Sequence, residues 1–529
     1  MLRKIRVTLA ALCFVLLTLL FLDFTGTLHT YLGWLARIQF VPAILALNLG
    51  VILGVILLTL LLGRVYCSVV CPLGVFQDSV SWLAARRRPN RFSYSPARHD
   101  LRYGALAIFV ALFVMAALTL ASLIEPYSAY GRIAASLLSP IYLWANNLLA
   151  YAAQRVNSYA FYSVDVVMKG AQTFVVALVT FVGISVLAWR HGRSWCNTIC
   201  PVGTLLGALA RFSLLKPRLD KDKCIHCGLC ARRCKASCID SERGHIDASR
   251  CVACMNCVGN CPKGAIRYGL HKSPSLASTS TSTSKPTQTP TQPSTQTPTD
   301  GEAKQTRAQR QNECDSETNG LTRRAFLSSV ASLVALESTA LAEESSVDGG
   351  LAPIVPKAAP NRETPIVPPG ALGAAHLSRH CTGCQLCVST CPNQILKPST
   401  RSDAWMQPEV SYENGYCRPE CTRCSSVCPT GAIQPVTVVE KASLQIGQAV
   451  WSSERCLVNT KGIRCGVCAR HCPTGAIQMM AREADNSDSL KLPSVDPERC
   501  IGCGACENLC PARPMSAIYV EGRDRHREI

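Results

Sequence analysis

Tight cysteine runs dominate the chemistry open to this chain, which carries 31 cysteines in 529 residues. In the first double run, Cys224, Cys227, Cys230 and Cys234 precede Cys251, Cys254, Cys257 and Cys261-Pro262. Three closely spaced thiolates wrap one face of an iron–sulfur cubane, and the fourth cysteine of each run reaches the neighbouring cubane. Crossing therefore assigns Cys224, Cys227, Cys230 and Cys261 to one [4Fe-4S] cluster, and Cys251, Cys254, Cys257 and Cys234 to its neighbour. The second double run has one extra residue between Cys417 and Cys421. It divides into Cys381, Cys384, Cys387 and Cys428 for one cluster, and Cys417, Cys421, Cys424 and Cys391 for the other. The third run is distinguished by the eight residues between Cys456 and Cys465. Its sets are Cys456, Cys465, Cys468 and Cys510, and Cys500, Cys503, Cys506 and Cys472. Zinc rarely uses two linked four-cysteine runs of this form, and a disulfide scaffold would be a short secreted chain. The expected content is six [4Fe-4S] clusters.

Two further pairs, Cys67 and Cys71 before Pro72 and Cys196 and Cys200 before Pro201, each follow an apolar stretch. A spacing of four predicts that both thiols of a pair share one helical face, with the proline freeing backbone carbonyls at that level. Duplication at equivalent positions makes Cys67, Cys71, Cys196 and Cys200 candidates for a joint redox or metal site; packing thiols at helix ends are the simpler alternative. Cys13, Cys238 and Cys314 fall outside these sets, and only Cys238, four residues after Cys234, stands where it could shield a cluster. None of the ten histidines lies inside an apolar span, which excludes a membrane cytochrome with stacked haem ligands, so no haem is expected.

The formal net charge of +19 suits nucleic acid or an anionic membrane surface. Each cubane with four thiolates carries about −2, so six leave roughly +7. That excess lies beside apolar segments, which points to membrane lipid and away from nucleic acid.

These centres need elements to position them. Apolar stretches at about residues 7–23, 41–63, 104–124 and 172–189 match the length that a hydrocarbon layer of about 30 Å requires. Arg3, Lys4 and Arg6 precede the first, and Arg86, Arg87, Arg88, Arg91, Arg98 and Arg102 separate the second from the third, so both places are expected on the cytoplasmic side. The stretch 133–153 could form a fifth span, but Pro140, Asn146 and Asn147 favour an interfacial segment. Residues 271–300 are almost wholly Ser, Thr, Pro and Gln, too poor in apolar surface to offset the entropy of ordering. Beyond them, Arg323-Arg324 leads a mildly apolar run ending at Ala342, the pattern of a twin-arginine export signal.

The expected fold is thus an α-helical membrane domain of four spans, followed by three α+β bacterial-type ferredoxin modules joined by a disordered linker. The membrane domain occupies 1–215 and the first module 216–270. A linker covers 271–320, the signal segment 321–345 and a second linker 346–375, before modules at 376–440 and 441–529.

Residues 1–270, with their spans, two Cys-x3-Cys-Pro motifs and double-cluster module, resemble the NapH-type membrane subunit of quinol dehydrogenases serving periplasmic reductases. The remainder resembles the NapG-type exported four-cluster ferredoxin, on Arg323-Arg324, Ile446-Gly447-Gln448-Ala449-Val450 and Cys465-Gly466-Val467-Cys468. Those partners are ordinarily separate chains, whereas here they are joined, and Ala342 is a candidate cleavage point. The resemblance implies an inner-membrane protein whose first module is cytoplasmic and whose later modules are periplasmic. It further implies quinol as substrate, the quinone pool and a periplasmic reductase as partners, and an electron-transfer role within a quinol dehydrogenase. Two other functions compete: a redox assembly or maintenance factor for a metalloenzyme, and a membrane-docked cytoplasmic polyferredoxin. Charge, spacing and composition identify neither the quinone nor its pocket.

Overall fold

Backbone N–H and C=O groups in apolar surroundings must satisfy one another, so long runs of Leu, Val and Ala fold as helix. In the computed structural model, which describes residues 2–87, 92–270, 355–483 and 489–529, three helices are long and apolar enough to cross a membrane: α1 (Leu2–Leu22), Pro126–Arg155 and Ala171–His191. All described residues but Val355 belong to one compact unit, Met1–His271 with Pro356–Ile529. The Ser/Thr/Pro/Gln linker, the signal around Arg323 and Arg324, Cys314 and Ala342 lie outside the described residues.

Two of the four expected spans are interrupted. The stretch 41–63 splits into Phe40–Leu45 and α2 (Leu49–Leu62), because Leu47 takes a left-handed conformation, φ 51°, and the Asn48 side chain accepts from Val51 N to start the next helix. The stretch 104–124 likewise breaks after α4 (His99–Val114), where Ala116 has φ 57°, and resumes as Leu118–Ala121. Between them, α3 (Pro72–Arg87) packs against α1 and Ala171–His191. The segment 133–153 is not a separate interfacial piece: it belongs to α5 (Pro126–Arg155), a helix of 30 residues. Pro140 sits in the first turn after a π-helical turn at Ala134–Leu138, where its missing N–H costs little. Asn146 and Asn147 do not break the helix because they turn outward to bond the loop, donating to Tyr162 O and Val164 O.

Helix α6 (Ala171–His191) spans roughly 30 Å at 1.5 Å per residue. At its start Gln172 Oε1 accepts from Trp405 Nε1 at 3.0 Å, and just past its end Arg193 N donates to Lys235 O at 2.7 Å. The first and second modules therefore dock at opposite ends of α6. Helix α1 repeats the arrangement. Arg6 near its start bonds Asp78, which also pairs with Lys235 of the first module, and Phe24 O just past its end accepts from Arg423 of the second.

Each module is built from short helices and two-stranded antiparallel ribbons. Lys216–Leu219 pairs with Ile266–Gly269 and closes the first module on itself. Leu396–Pro398 pairs with Pro408–Val410 in the second, while Ile477–Ala481 with Lys491–Val495 and Leu444–Trp451 with Ile518–Glu528 frame the third. The helical half and the second and third modules share one continuous apolar core, and the first module has its own around Ala231, Ile239, Val252 and Ile266.

The expected linker at 346–375 needs correction from Lys357 onward. Arg362 pairs with Glu507, Val410 N donates to Ile366 O, and Gln434 N to Gly370 O. Ile366 and Ala371 are fully buried, so this segment is a strap across the second and third modules. Its Ile-Val-Pro-Pro core supplies the apolar surface that a linker lacks.

Candidate iron–sulfur centres

Short helices starting after a left-handed residue turn the chain tightly enough to aim consecutive cysteines inward. Gly228, Met255, Gln385 and Gly504 hold that position at the starts of Leu229–Arg232, Asn256–Asn260, Leu386–Thr390 and Ala505–Leu509. Four cavities each gather one crossed set of four cysteines from two distant stretches, and Cys238 also lines that of the Cys251 set. One is bordered by Cys224, Cys227, Cys230 and Cys261, a second by Cys251, Cys254, Cys257 and Cys234. A third is bordered by Cys417, Cys421, Cys424 and Cys391, and a fourth by Cys456, Cys465, Cys468 and Cys510. The two remaining sets are neighbours as well: Cys381 and Cys387 lie within electrostatic reach of Cys384 and Cys428, and Cys506 within reach of Cys500, Cys503 and Cys472.

The donor chemistry fits [4Fe-4S] clusters. Backbone N–H groups donate to sulfur from Ala265 to Cys261 at 3.3 Å, and from Gly383 to Cys381, Ile433 to Cys428, Ala449 to Cys500 and Ala517 to Cys510 at 3.4 Å each. Such bonds favour the thiolate and tune a bound cluster. Burial works against ionisation: it pushes the Cys384 and Cys503 thiols up to about 12 and Cys468 to about 11, with neighbouring cysteines adding to the rise. Thiols so reluctant to lose a proton to water surrender it to a metal, so loading is coupled to proton release. Among the described residues, no group of three or more His, Cys, Asp or Glu is placed to hold a single metal ion.

The sets of the second and third modules form a row. Cys387 is within electrostatic reach of Cys424, and Cys417 N donates to Cys503 O at 2.9 Å. The end of the row nearest the helices is the Cys381 set: a Cβ on Gly131 of α5 would fall 2.4 Å from Cys384 O. Lys441, buried beside the Cys417 set, donates to Arg418 O at 2.6 Å and to Cys421 O, placing a cation next to an anionic centre. No spacing rule pointed to it.

Cys67, Cys71, Cys196 and Cys200 are all buried and mutually within electrostatic reach. They do not share helical faces as expected. Cys67 lies in Val65–Val69 and Cys196 in Ser194–Thr198, while Cys71 and Cys200 sit in the bends before helices that begin at Pro72 and Pro201. Proline at a first helical position ends one helix and starts the next, so each pair straddles a corner. Two arginines cross over the four thiols. Arg64 Nη1 donates to Asn197 Oδ1 at 2.8 Å and Nη2 to Cys196 O at 3.2 Å; Arg193 Nη1 donates to Cys67 O at 2.8 Å. Gly74 and Gly203 admit the arginines, since a Cβ on either would lie 2.7 Å from a guanidinium nitrogen. The signal was present in the sequence as a longer duplication, Gly63-Arg64-x-Tyr66-Cys67 through Gly74 and Gly192-Arg193-x-Trp195-Cys196 through Gly203.

This four-thiol site touches both sides of the helical half. Toward the first module, Arg64 Nη1 donates to Ser249 O at 3.2 Å and Asn197 Nδ2 to Ala236 O at 3.2 Å. Toward the second, Tyr66 lies within reach of Cys67, Cys71 and Glu125, and Tyr127 within reach of Tyr66, Cys384 and Cys428. In the first module, Cys238 is fully buried with its sulfur 3.5 Å from that of Cys234, inside the cavity of the Cys251 set. Cys13 is half-buried in α1.

Comparison with known proteins agrees with the cysteine pattern. A family described as "4Fe-4S binding domain" matches residues 44–91 and 173–221, a "4Fe-4S dicluster domain" matches 380–432 and 461–513, and a further "4Fe-4S binding domain" matches 245–267. The chain is 35% identical over 152 residues to the methylamine utilization ferredoxin-type protein MauM of Methylobacillus flagellatus, covering 28% of this chain and 64% of that protein. It is 29% identical over 151 residues to the ferredoxin-type protein NapG of Escherichia coli, 27% of this chain and 64% of NapG. Over 228 residues it is 28% identical to the ferredoxin-type protein NapH of Escherichia coli, 42% of this chain and 66% of NapH. The chain thus spans less than two thirds of the length of each of these relatives. No solved structure matches. The cysteine-lined cavities and these likenesses support an iron–sulfur electron-transfer protein that is similar in parts to NapH- and NapG-type polyferredoxins.

Proposed function

We propose that the chain takes electrons from a membrane quinol and relays them through six [4Fe-4S] clusters to a periplasmic reductase. The observation that carries this reading is the row of cysteine sets that begins against α5 and ends at the Cys456 set of the third module. The six crossed sets are the ligands: each supplies four sulfurs, and the backbone N–H groups around them hold the charge. A bound cubane supplies one-electron transfer. The protein's part is to space these centres, bury them from water and set their surroundings.

The first module is assigned to the cytoplasm and the second and third to the periplasm. Their docking at opposite ends of α1 and α6 supports this, as do the basic residues Arg3, Lys4 and Arg6 at the first-module end. The four-thiol site supplies the redox step between the two sides, because Arg64 and Asn197 tie it to the first module while Tyr66 and Tyr127 lead to Cys384. Adding a stoichiometric quinol to the anaerobic protein should bleach the visible iron–sulfur absorbance. No bleaching with any quinol, in protein that dithionite reduces, would reject the reading.

A further inference from the structure

One cavity that adjoins a cysteine set has no cysteine in its wall. It measures about 320 Å³, within the range of small-molecule sites, and lies between the π-helical turn of α5, the start of α6 and the second module. Leu137, Ile141, Met168 and Phe174 make it apolar, and Ile141 and Met168 are exposed at its margin where a lipid-soluble molecule would arrive. π-turns of this kind widen a helix locally and recur at functional sites.

Ser136, Ser139, Lys169, Thr173 and Gln385 interrupt the apolar wall. Gln385 is 3% exposed and its Oε1 finds no partner among the described residues, although its Nε2 donates to Met406 O at 2.7 Å. A buried acceptor left unpaired is costly and is retained where something else satisfies it. Lys169, on the loop before α6, donates to Val388 O at 3.1 Å and keeps further N–H groups for a second partner. Val388 follows Cys387 directly, so the cavity abuts the cysteine set at the membrane end of the row.

We infer that this cavity holds the quinol headgroup, with Gln385 Oε1 accepting from one hydroxyl and Lys169 Nζ donating to an oxygen of the ring. The assignment rests on the quinol-oxidising reading above and locates its substrate. Oxidation breaks two O–H bonds: the cluster that Cys381, Cys384, Cys387 and Cys428 would hold would take the two electrons one at a time, with the row on one side and Tyr127, Tyr66, the four-thiol site and the first module on the other as routes onward, and two protons leave to water at the cavity mouth.

The test titrates the full chain in lipid nanodiscs with the fluorescent quinol-site ligand 2-heptyl-4-hydroxyquinoline N-oxide. Thr173→Trp fills the cavity from α6 and Lys169→Met removes the donor. Expected are quenching on binding to the parent, affinity at least tenfold weaker in both variants, and iron content and dithionite-reducible absorbance as in the parent. Should Thr173→Trp fail to load iron, Lys169→Met with normal iron carries the test. Parent-like binding and quinol bleaching in loaded variants would overturn the site while leaving quinol oxidation standing. A parent that neither binds the ligand nor is bleached by quinol would remove both.

Discussion

Asp78 on α3 is the hinge of the contact between the helical half and the first module, and replacing it by Asn should loosen that contact selectively. Its carboxylate takes Arg193 Nε at 2.6 Å, Lys235 Nζ at 2.7 Å and Arg6 Nη1 at 3.0 Å, all from side chains no more than 11% exposed. Burial by itself would raise this carboxyl, but Arg193, Lys235 and Arg6 together hold it well below the usual carboxylate range. At an effective dielectric of about 20, each pair at about 3 Å is worth about 5 kcal/mol before desolvation is counted. Removing the one anion leaves three cations facing each other, and the net cost for such buried networks is about 3–5 kcal/mol. Each 1.4 kcal/mol is a factor of ten. Amides that bond across this contact, Phe92 N to Arg232 O, Ser95 N to Ser237 O and Arg193 N to Lys235 O, should exchange with deuterium roughly 100- to 4,000-fold faster in Asp78→Asn. Amides of Leu444–Trp451 in the third module serve as the internal control and should not change. The pH dependence has a definite sign: a carboxyl depressed on folding contributes stability above its unfolded value near 4, lost only as pH falls further. Protection of the parent should therefore be flat from about pH 5 to 8. Exchange within threefold of the parent at all three amides would refute the network's role.

Three other outcomes follow from the geometry. Cys510→Ser should damage the cluster set of Cys456, Cys465 and Cys468, whose cavity it borders, and leave the Cys500 set more intact; EPR of the reduced protein distinguishes them, and loss confined to the Cys500 set would show that the ligands do not cross. A Cys67→Ala, Cys71→Ala double variant should insert normally yet lose electron transfer between the quinol and the first module; iron unchanged from the parent marks the four thiols as a redox pair site, a fall of about four iron per chain marks a cubane, and unchanged transfer returns them to packing. Replacing Arg323 and Arg324 by Lys preserves charge, so it should abolish export only if a receptor reads the pair. External protease in spheroplasts should then reach residues 376–529 in the parent and not in the variant; equal protection in both would place the acceptor in the cytoplasm.

How far the sequence alone reached depended on the range of the interaction concerned. That Cys456, Cys465, Cys468 and Cys510 border one cavity was legible because the spacing within each run and the pseudo-symmetry of the two runs bring them together. Helix interruption was not: Leu47 and Ala116 are unremarkable in an apolar run, and only their left-handed backbone breaks it. Asn146, Asn147 and Pro140 misled in the other direction, because tertiary bonds to the following loop and a π-turn accommodate residues that a sequence rule counts as breakers. The strap from Lys357 read as a linker, since its partners, Glu507, Gln434 and Val410, lie 44 to 145 positions away. Arg64, Arg193, Gly74 and Gly203 were visible as a duplication, but their meaning required seeing each arginine reach across to the other pair.

The most direct test of the central claim is the metal content of protein purified without oxygen. Six cubanes predict about 24 iron and 24 sulfide per chain, with four fewer of each for every cysteine set abolished. Stoichiometric zinc with little iron or sulfide would contradict the account at its root.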